Sequence, residues 1–303
     1  MTGSCNVITL NLNRIVQNYF KQLVHPEDFT KKEISELYKE EECKKALCNY
    51  LISILDRVYK YHIAYKTMLY EMEDKGMIAA SNGNYIYMKK LYSTIGVIGY
   101  CEAAQFLGLE IGNNSKYREF LKFIFETIKE QNKIHSIWDK KRPFLFNSEA
   151  IPGEGLGVKL YNWDKEDNYI VPENQNLYNC YFYNPWTTAT SILDKIKLHG
   201  KEITSALEGG QAAHLNLDTH LSKEQYLKLL DIAKNEGCSY FTFNIPISEC
   251  RDCKHIVNAP IHECPKCNST NIKYYTRIIG YLTAVDNWAN ARQLEFTQRK
   301  YYH

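Results

Sequence analysis

The chain has 303 residues, enough for one large domain or for one domain with a smaller appendage. Its 37 basic and 35 acidic side chains leave a net charge of +2, which predicts no nucleic-acid partner. No apolar run reaches the roughly 18 residues of a membrane span, and the first residues lack the pattern of a signal peptide. Ten cysteines would fit an exported protein, but only four are closely paired. We therefore predict a cytoplasmic protein without a membrane partner.

The first half of the chain alternates predicted strands and amphipathic helices. Residues 6–13, NVITLNLN, alternate between two faces and predict a strand. Thr30 and Glu33 form a capping box at the start of a long amphipathic helix. The run LYSTIGVIGY, residues 91–100, predicts a strand or a tight loop that leads into a helix, and a further helix is predicted over residues 116–138.

The second half continues this alternation. The segment FNSEAIPGEGLGVKLYNWDKED, residues 146–167, predicts strand and loop. A helix, a strand, a helix and a strand are then predicted at residues 187–199, 214–220, 222–237 and 239–246. Strands and helices in this order favour a parallel α/β sheet or barrel. We predict this α/β domain over residues 1–246 and a separate module over residues 247–303.

Four cysteines in that module form two Cys-x-x-Cys pairs. They are Cys250, Cys253, Cys264 and Cys267, with ten residues between the pairs. This spacing predicts one tetrahedral zinc ion bound by four thiolates. A four-thiolate site leaves no open position for water, so the zinc is expected to be structural. The segment IVNAPIHE between the pairs carries no arginine or lysine, which argues against a nucleic-acid-binding zinc ribbon.

A glycine follows the cysteines in the segment TRIIGYL. A glycine such as Gly280 is ordinarily required by a turn or by close packing of the backbone. Its flanks include Arg277 and the apolar residues Ile279 and Tyr281. The apolar neighbours predict a loop from which water and oxidants are excluded.

This terminal segment resembles the C-terminus of the anaerobic (class III) ribonucleotide reductases. In that family a four-cysteine zinc site precedes an Arg-x-x-Gly-Tyr-Leu loop that carries a glycyl radical. The matching residues in this sequence are Arg277, Gly280, Tyr281 and Leu282, followed by Trp288, Glu295, Phe296 and Arg299. The sequence departs from the family's Trp-Asn-x-Gly-Lys, since Trp288-Ala-Asn-Ala-Arg292 stands in its place.

The resemblance extends over the whole chain. Further motifs of the family are matched by MTGSCNVITLNLNRI at residues 1–15, Pro152-Gly153-Glu154, Tyr183-Asn184 and Glu208-Gly209-Gly210 with His214. The implied fold is the second half of a ten-stranded α/β barrel of the glycyl radical enzyme type over residues 1–246. Residues 247–303 are implied to be the zinc-binding and glycyl radical domain.

The implied activity is reduction of ribonucleoside triphosphates to deoxyribonucleotides by glycyl and thiyl radical chemistry. A radical S-adenosylmethionine iron–sulfur protein would generate the radical on Gly280. A glycine α-carbon suits a radical because its amide nitrogen donates and its carbonyl withdraws electron density, while no Cβ crowds the planar centre. In the family the glycyl radical generates a thiyl radical that takes the ribose 3′-hydrogen, and formate or a dithiol supplies the reducing equivalents.

The resemblance also implies roles for particular residues. Glu154 would take the 3′-hydroxyl proton while the 2′-hydroxyl leaves as water, with Glu149 as the alternative base. Ser4 and Asn11 would hydrogen-bond ribose hydroxyls or phosphate. Cys5 stands where the family has an apolar residue, and we predict a small buried thiol there rather than the thiyl cysteine.

A partner region is expected from the same resemblance. The family's thiyl cysteine lies on a finger loop just before the strand with which this chain begins. We therefore expect a separate N-terminal half that carries this cysteine and the allosteric site, and a homodimer of the assembled enzyme.

Two other functions fit the sequence less well. One is a zinc-stabilised non-catalytic or spare-radical module, and the other is a different glycyl radical enzyme. The four-cysteine site argues against the second, because other branches lack such a site there. Restoration of turnover by a companion chain with a cysteine finger loop would separate an enzyme from a non-catalytic module.

Overall fold

A computed structural model describes residues 3–24, 30–173, 175–187, 190–278 and 280–302 of the chain. The chain divides into two compact units. The first contains Met1–Glu110, Ser115–Ile151 and Ile203–Gln211, and the second contains Ile111–Asn114, Pro152–Glu202 and Ala212–His303. The division at residue 246 that the sequence suggests remains a prediction about functional modules.

A parallel sheet forms the centre of the first unit. Its strands are β1 (Gly3–Asn11), β2 (Leu91–Ile98) and β3 (Leu145–Ala150), in the order β1-β2-β3. Central strand β2 is buried at seven of its eight residues, as expected for a strand covered on both faces. The helices are α1 (Leu12–Leu23), α2 (Lys31–Leu37), α3 (Glu41–Asp74), α4 (Ala79–Asn82), α5 (Tyr100–Phe106) and α6 (Ser115–His135).

The strand predicted over residues 6–13 exists, but it ends earlier. The side chain of Asn11 accepts a hydrogen bond from the Arg14 backbone N–H at 3.2 Å, so the helix α1 begins at the next residue. The Thr30 hydroxyl caps α2 as predicted, by accepting from the Glu33 N–H at 3.3 Å. The long helix expected after it is interrupted before α3, because Glu40 adopts an extended conformation.

The second unit begins with a helix that the sequence did not predict. Residues 154–166, expected as strand and loop, form α7 (Glu154–Glu166). The prediction was wrong because glycine disfavours a helix interior, and here glycine serves packing instead. A Cβ at Gly157 would lie 2.7 Å from the Tyr178 carbonyl oxygen and 2.8 Å from an Arg292 nitrogen. A side chain at this position would therefore force the Tyr178 backbone or the Arg292 side chain to shift.

A parallel pair of strands follows in this unit. After α8 (Ile192–Leu198) and α9 (Lys201–Thr204), β4 (Ala213–Asn216) pairs with β5 (Phe241–Asn244), and α10 (Lys223–Glu236) connects them. A capping box of Ser222 and Gln225 starts α10, and Gly237 ends it with a positive φ of 72°, in agreement with the helix predicted over residues 222–237. Buried apolar side chains pack this layer, namely Ile196, Ala213, Leu215, Ala233 and Cys238.

An antiparallel sheet closes the second unit. Strands β6 (Ile247–Cys250), β7 (Ile256–Val257), β8 (Ile272–Arg277) and β9 (Leu282–Ala284) adopt the order β7-β6-β8-β9, and helix α11 (Asn290–Gln298) follows. Parallel strands alternating with helices confirm the mixed α/β class, whereas the half-barrel remains a prediction. Among the residues in the ranges given above, no helix combines the length and the apolar character that a membrane crossing needs.

Candidate functional site

The four paired cysteines converge on one point beside the antiparallel sheet. The Sγ atoms of Cys250, Cys253, Cys264 and Cys267 all lie within 4.8 Å of one another. The Cys250–Cys267 and Cys253–Cys264 pairs of sulfur atoms are each separated by 3.6 Å. Thiolates bound at about 2.3 Å to one tetrahedral ion would lie about 3.8 Å apart. The cluster can therefore hold one zinc-sized ion.

The two cysteine pairs lie on loops with the same backbone pattern. Lys254 donates its backbone N–H to the Cys250 carbonyl at 2.9 Å, and Asn268 donates to Cys264 at 2.9 Å. Both donors have a positive φ, of 60° at Lys254 and 57° at Asn268. Each loop thereby reverses direction within five residues and presents two thiols toward the same point. This repetition explains how such a short spacing brings four sulfur atoms together.

Gly280 lies in the hairpin loop that follows this cluster. The ladder of β8 and β9 ends at the pair Arg277 and Leu282, and Gly280 lies between these two residues in the chain. Arg277 reaches across the loop and donates from Nη1 to the Gly280 carbonyl oxygen at 2.6 Å. Ile279, one of the expected apolar flanks, lies outside the described residues.

The structure gives no steric reason for a glycine at position 280. A Cβ built there would have no neighbour within 4 Å among the described residues beyond its own chain neighbours. Its φ is also outside the positive range that favours glycine, unlike that of Gly237. Neither close packing nor backbone conformation therefore accounts for the residue type.

The loop is shielded on one flank only. Ile278 is buried, and its carbonyl accepts a hydrogen bond from the Tyr181 hydroxyl. The Tyr181 ring stacks on Tyr183 with centroids 5.2 Å apart and planes 6° apart. Tyr281, in contrast, is 85% exposed, so the expectation that apolar neighbours cover both sides of Gly280 is wrong for this residue.

Glu154 begins helix α7 and is held through its backbone rather than its exposed carboxylate. Arg292 from α11 donates from Nε to the Glu154 carbonyl and from Nη2 to the Gly153 carbonyl, both at 3.1 Å. The same Nη2 contacts Cys180 Sγ at 2.9 Å. The guanidinium therefore fixes the first turn of α7, from which the Glu154 side chain projects.

Arg292 belongs to a buried ion triad with Glu295, also on α11, and with Arg299, the residue that follows the end of this helix. Glu295 accepts from Arg292 Nη1 at 2.6 Å through one oxygen and from Arg299 Nε at 2.8 Å through the other. Burial alone would raise the pKa of Glu295, but the two guanidinium groups outweigh it and hold that pKa below its ordinary value. Arg299 Nη1 also donates to the Arg277 carbonyl at 2.7 Å. Helix α11 and its C-cap residue Arg299 thus contact the Glu154 turn and the Gly280 hairpin, respectively.

The alternative carboxylate, Glu149, has a different setting in the first unit. It lies on β3 in a row with Gly96 of β2 and Thr9 of β1. It is half-buried, and this burial raises its pKa. Gly209 packs closely on it, since a Cβ at that glycine would lie 2.9 Å from the Glu149 Cβ.

The predicted substrate-binding residues Ser4 and Asn11 lie on β1 of the first unit. Ser4 Oγ lies 2.6 Å from Thr94 Oγ1, which donates to Asn147 Oδ1 at 2.7 Å, so a polar row crosses the three strands. Asn11 ends β1 and caps α1. Cys5 is only partly buried, less than the buried thiol that the sequence predicts, and its thiol donates to the Tyr92 carbonyl at 3.2 Å.

The ion triad is the part of the site that sequence reasoning missed. Glu295 and Arg299 were noted only as matches to a family ending, and Arg292 only as a departure from one. The signal was the spacing of Arg292, Glu295 and Arg299, at i, i+3 and i+7, which places three charges on one helix face. An exposed face would normally carry such charges, and only the structure shows that this one is buried.

Comparison with known proteins gives the family. The sequence matches the model of the family described as anaerobic ribonucleoside-triphosphate reductase over residues 1–302. No curated protein sequence matches the chain.

Solved structures give the same fold. A structure of an anaerobic ribonucleotide reductase matches 99% of this chain at 24% identity with a TM-score of 0.72. The Thermotoga maritima enzyme in complex with dATP and CTP matches 97% at 24% identity with a TM-score of 0.75, and its glycerol-bound form matches 98% at 24% identity with a TM-score of 0.74. The match covers 45% of each of these longer chains. The chain described here belongs to the family of anaerobic ribonucleoside-triphosphate reductases.

Proposed function

We propose that the chain is the C-terminal part of an anaerobic ribonucleotide reductase and that Gly280 carries its radical. The observation that carries this proposal is the glycine itself. Neither a described neighbour nor a positive φ requires a glycine at position 280. The remaining explanation for the glycine is the ability of its α-carbon to carry a radical. The α-hydrogen of Gly280 can be removed to leave a planar carbon stabilised by the adjoining amide and carbonyl groups. Arg277, which donates to that carbonyl, would favour electron withdrawal into it.

The four-cysteine cluster would hold structural zinc. Its sulfur atoms are close enough for one tetrahedral ion, and four thiolates leave no position for a substrate. Bound zinc would supply cross-linking of the terminal sheet and no reaction chemistry. The cluster closes the loops next to β6 and β8, and β8 continues into the Gly280 hairpin.

Formation of the radical requires a second protein in this proposal. A radical S-adenosylmethionine iron–sulfur protein would supply the organic radical that removes the Gly280 hydrogen. The exposure of Tyr281 supports access to this loop from outside the second unit.

Ribonucleoside triphosphates are the proposed substrates, and Glu154 is the proposed base for the 3′-hydroxyl proton. Its backbone is fixed by Arg292, which supports a positioned carboxylate. Glu149 is the second candidate, because burial raises its pKa and so makes its carboxylate a stronger base. Ser4 and Asn11 are the proposed hydrogen-bonding partners of the ribose or phosphate. The end of β1, where Asn11 lies, is the usual ligand-binding end of a parallel strand.

The remaining part of the enzyme would supply the thiyl cysteine and the allosteric site. The solved relatives are more than twice as long as the matched region, and β1 is an edge strand of the described sheet with Val7 45% exposed. An edge strand with an exposed apolar side chain favours pairing with a further segment. We propose that the assembled enzyme is a cytoplasmic homodimer without a membrane or nucleic-acid partner.

Oxygen cleavage tests the assignment of Gly280. The purified chain is incubated anaerobically with the activating protein and S-adenosylmethionine, then exposed to air and measured by mass spectrometry. We expect backbone cleavage at residue 280 and none in Gly280→Ala, whose metal content stays that of the wild type. An intact chain after exposure, or cleavage that persists in the alanine variant, would contradict the proposal and favour a non-catalytic zinc module.

The choice of base is tested by a pair of matched variants. Glu154→Gln and Glu149→Gln are each assembled with the remaining region, and radical content and turnover are measured together. Loss of the base should lower turnover by about 100-fold and leave the radical in place. If both variants turn over at more than about a third of the wild-type rate, neither carboxylate is the base.

A further inference from the structure

We infer that the buried triad Arg292–Glu295–Arg299 is a positioning device that couples the Glu154 turn to the Gly280 hairpin. This inference rests on the proposed function for its catalytic meaning, but its geometric part can be tested separately. It makes Arg292 and Arg299 positioning residues, since each acts on backbone groups rather than on substrate.

The buried Arg292 side chain uses all three of its nitrogens in contacts. Nε binds the Glu154 carbonyl, Nη1 binds Glu295, and Nη2 contacts the carbonyls of Gly153 and Tyr178 at 3.1 and 3.4 Å. Only the planar fork of a guanidinium presents donors in these directions, since a lysine ammonium is a single point charge. The missing side chain of Gly157 supplies the space for this group. The local structure is therefore built around an arginine.

Arg299 is the second arm of the device. Its Nη1 binds the Arg277 carbonyl at 2.7 Å, and Arg277 in turn binds the Gly280 carbonyl at 2.6 Å. Arg299 is therefore linked to the Gly280 loop by two hydrogen bonds in series, with Arg277 between them. The Arg299 guanidinium also lies over the Trp288 ring, 5.3 Å from its centroid, which limits its movement.

Glu295 joins the two arms with one carboxylate. Each of its oxygens holds a different guanidinium, at 2.6 and 2.8 Å, and all three side chains are at most 2% exposed. The carboxylate therefore fixes how far Arg292 lies from Arg299, and so how the Glu154 turn lies relative to the Gly280 hairpin. A buried charge network costs desolvation and is a poor source of stability, whereas it permits few alternative arrangements. Position is the property that this triad can supply.

Hydrogen exchange tests the coupling without any need for activity. We would compare the wild-type chain with Arg292→Lys, which keeps the charge but loses the fork, and with Glu295→Gln, which keeps the shape. Arg142→Lys is the matched control, because Arg142 pairs with Asp74 on the surface of the first unit. The readouts are exchange in peptides 152–160 and 277–285 and the metal content.

Coupling predicts that Arg292→Lys accelerates exchange by roughly 10-fold in both peptides, although Arg292 itself contacts only the first of them. Glu295→Gln should do the same, and Arg142→Lys should change neither. Metal content should stay the same in every variant. Faster exchange confined to peptide 152–160 in Arg292→Lys, or no change in either peptide, would overturn the inference. If Arg292→Lys fails to fold, Glu295→Gln decides by the same criterion.

The catalytic meaning is tested on the assembled enzyme. Arg292→Lys should lower kcat by between about 10-fold and 100-fold with KM and radical content unchanged, since misplacement of a reacting group by about 1 Å costs this much. A mere loss of folded protein would lower the radical content in the same proportion. If the variants show the coupled change in exchange but the wild-type chain forms no radical, the positioning role is supported and the proposed function is overturned. A kcat that stays within about twofold while exchange is accelerated would overturn the positioning role.

Discussion

The cysteine cluster and the α11 ion triad both hold the terminal part of the second unit, but they are built in opposite ways. The cluster collects four sulfur atoms from Cys250 to Cys267, on two loops that repeat the same backbone pattern. The triad lies on α11 and the residue that ends it, and its backbone partners are the carbonyl groups of Gly153, Glu154, Tyr178 and Arg277. The first device is local in sequence, whereas the second joins segments more than a hundred residues apart.

The two devices also differ in what they contribute. A structural zinc site supplies folding free energy directly, with apparent values of roughly 10–16 kcal/mol in small zinc domains. A buried ion network gains little net stability, because desolvation offsets most of the attraction between its charges. We therefore expect the cluster to hold the terminal sheet folded and the triad to define where the hairpin and the Glu154 turn lie.

The largest effect should come from removal of a metal ligand. Cys264→Ser is expected to lose zinc and to unfold the sheet of β6 to β9, because the ion's binding energy folds the loops that it joins. Cys48→Ser, a partly buried thiol in the first unit, is the control and should retain all of the metal. Metal analysis with circular dichroism measures both, and one zinc per chain in Cys264→Ser would contradict the assignment.

Removal of the central charge of the triad should have the next largest effect. Glu295→Ala leaves two guanidinium groups buried without a counter-charge, and we expect it to cost about 3–5 kcal/mol of unfolding free energy. The control is Glu36→Ala, since Glu36 forms an exposed pair with Lys39 at the same i, i+3 spacing. The control should leave the urea midpoint essentially unchanged, because an exposed ion pair contributes little to stability. Equal effects in urea unfolding would contradict the burial of the triad charges.

Lowering the pH should disrupt the cysteine cluster and the ion triad at different pH values. In the folded protein the pKa of Glu295 is held below its ordinary value. The stabilisation by the triad is therefore fully present at pH values above about 4.3, the pKa of a glutamate in the unfolded chain. This stabilisation is lost only as the pH falls through the lower pKa that Glu295 has in the folded protein. Thiolate ligands release metal as they are protonated, so zinc affinity falls at milder acidity. We expect zinc release before exchange rises in peptide 152–160, and the reverse order would contradict this comparison.

The smallest effect is expected for the folding stability of Gly280→Ala. The space around residue 280 is open, so the added methyl group should change the unfolding free energy by less than about 0.5 kcal/mol. Gly157→Ala is the matched contrast, since its methyl group would meet the Tyr178 carbonyl at 2.7 Å. It should cost at least about 1 kcal/mol. A large folding defect in Gly280→Ala would mean that this glycine serves packing.

Sequence reasoning succeeded where the determinants are close together. The cap at Thr30, the bounds of the helix over residues 222–237 and the four-cysteine cluster all depend on spacings of a few residues. Helix α7 was missed because Gly157 reads as a helix breaker, and its packing role depends on Arg292, 135 positions away. The burial of the ion triad was missed for the same reason, because Gly153, Glu154 and Tyr178, which Arg292 contacts, lie more than a hundred positions from it.

The site shows the same limit. A loop at Gly280 was predicted from its flanking residues, but the exposure of Tyr281 was not, because Ile278 and Tyr281 are both apolar and only one is buried. Glu149 and Glu154 are both carboxylates in one short segment of sequence, and only their burial distinguishes them. Burial depends on segments such as residues 203–211 that pack against β3 from far along the chain.

Electron paramagnetic resonance of the anaerobically activated chain tests the central claim most directly. Protein made with ordinary glycine should give a carbon-radical doublet, since the remaining Gly280 α-hydrogen splits the signal. Protein made with α-deuterated glycine should give a single line, and Gly280→Ala should give no signal while its zinc content stays unchanged. A wild-type chain without a signal, or an alanine variant that retains the doublet, would contradict the assignment of the radical to Gly280.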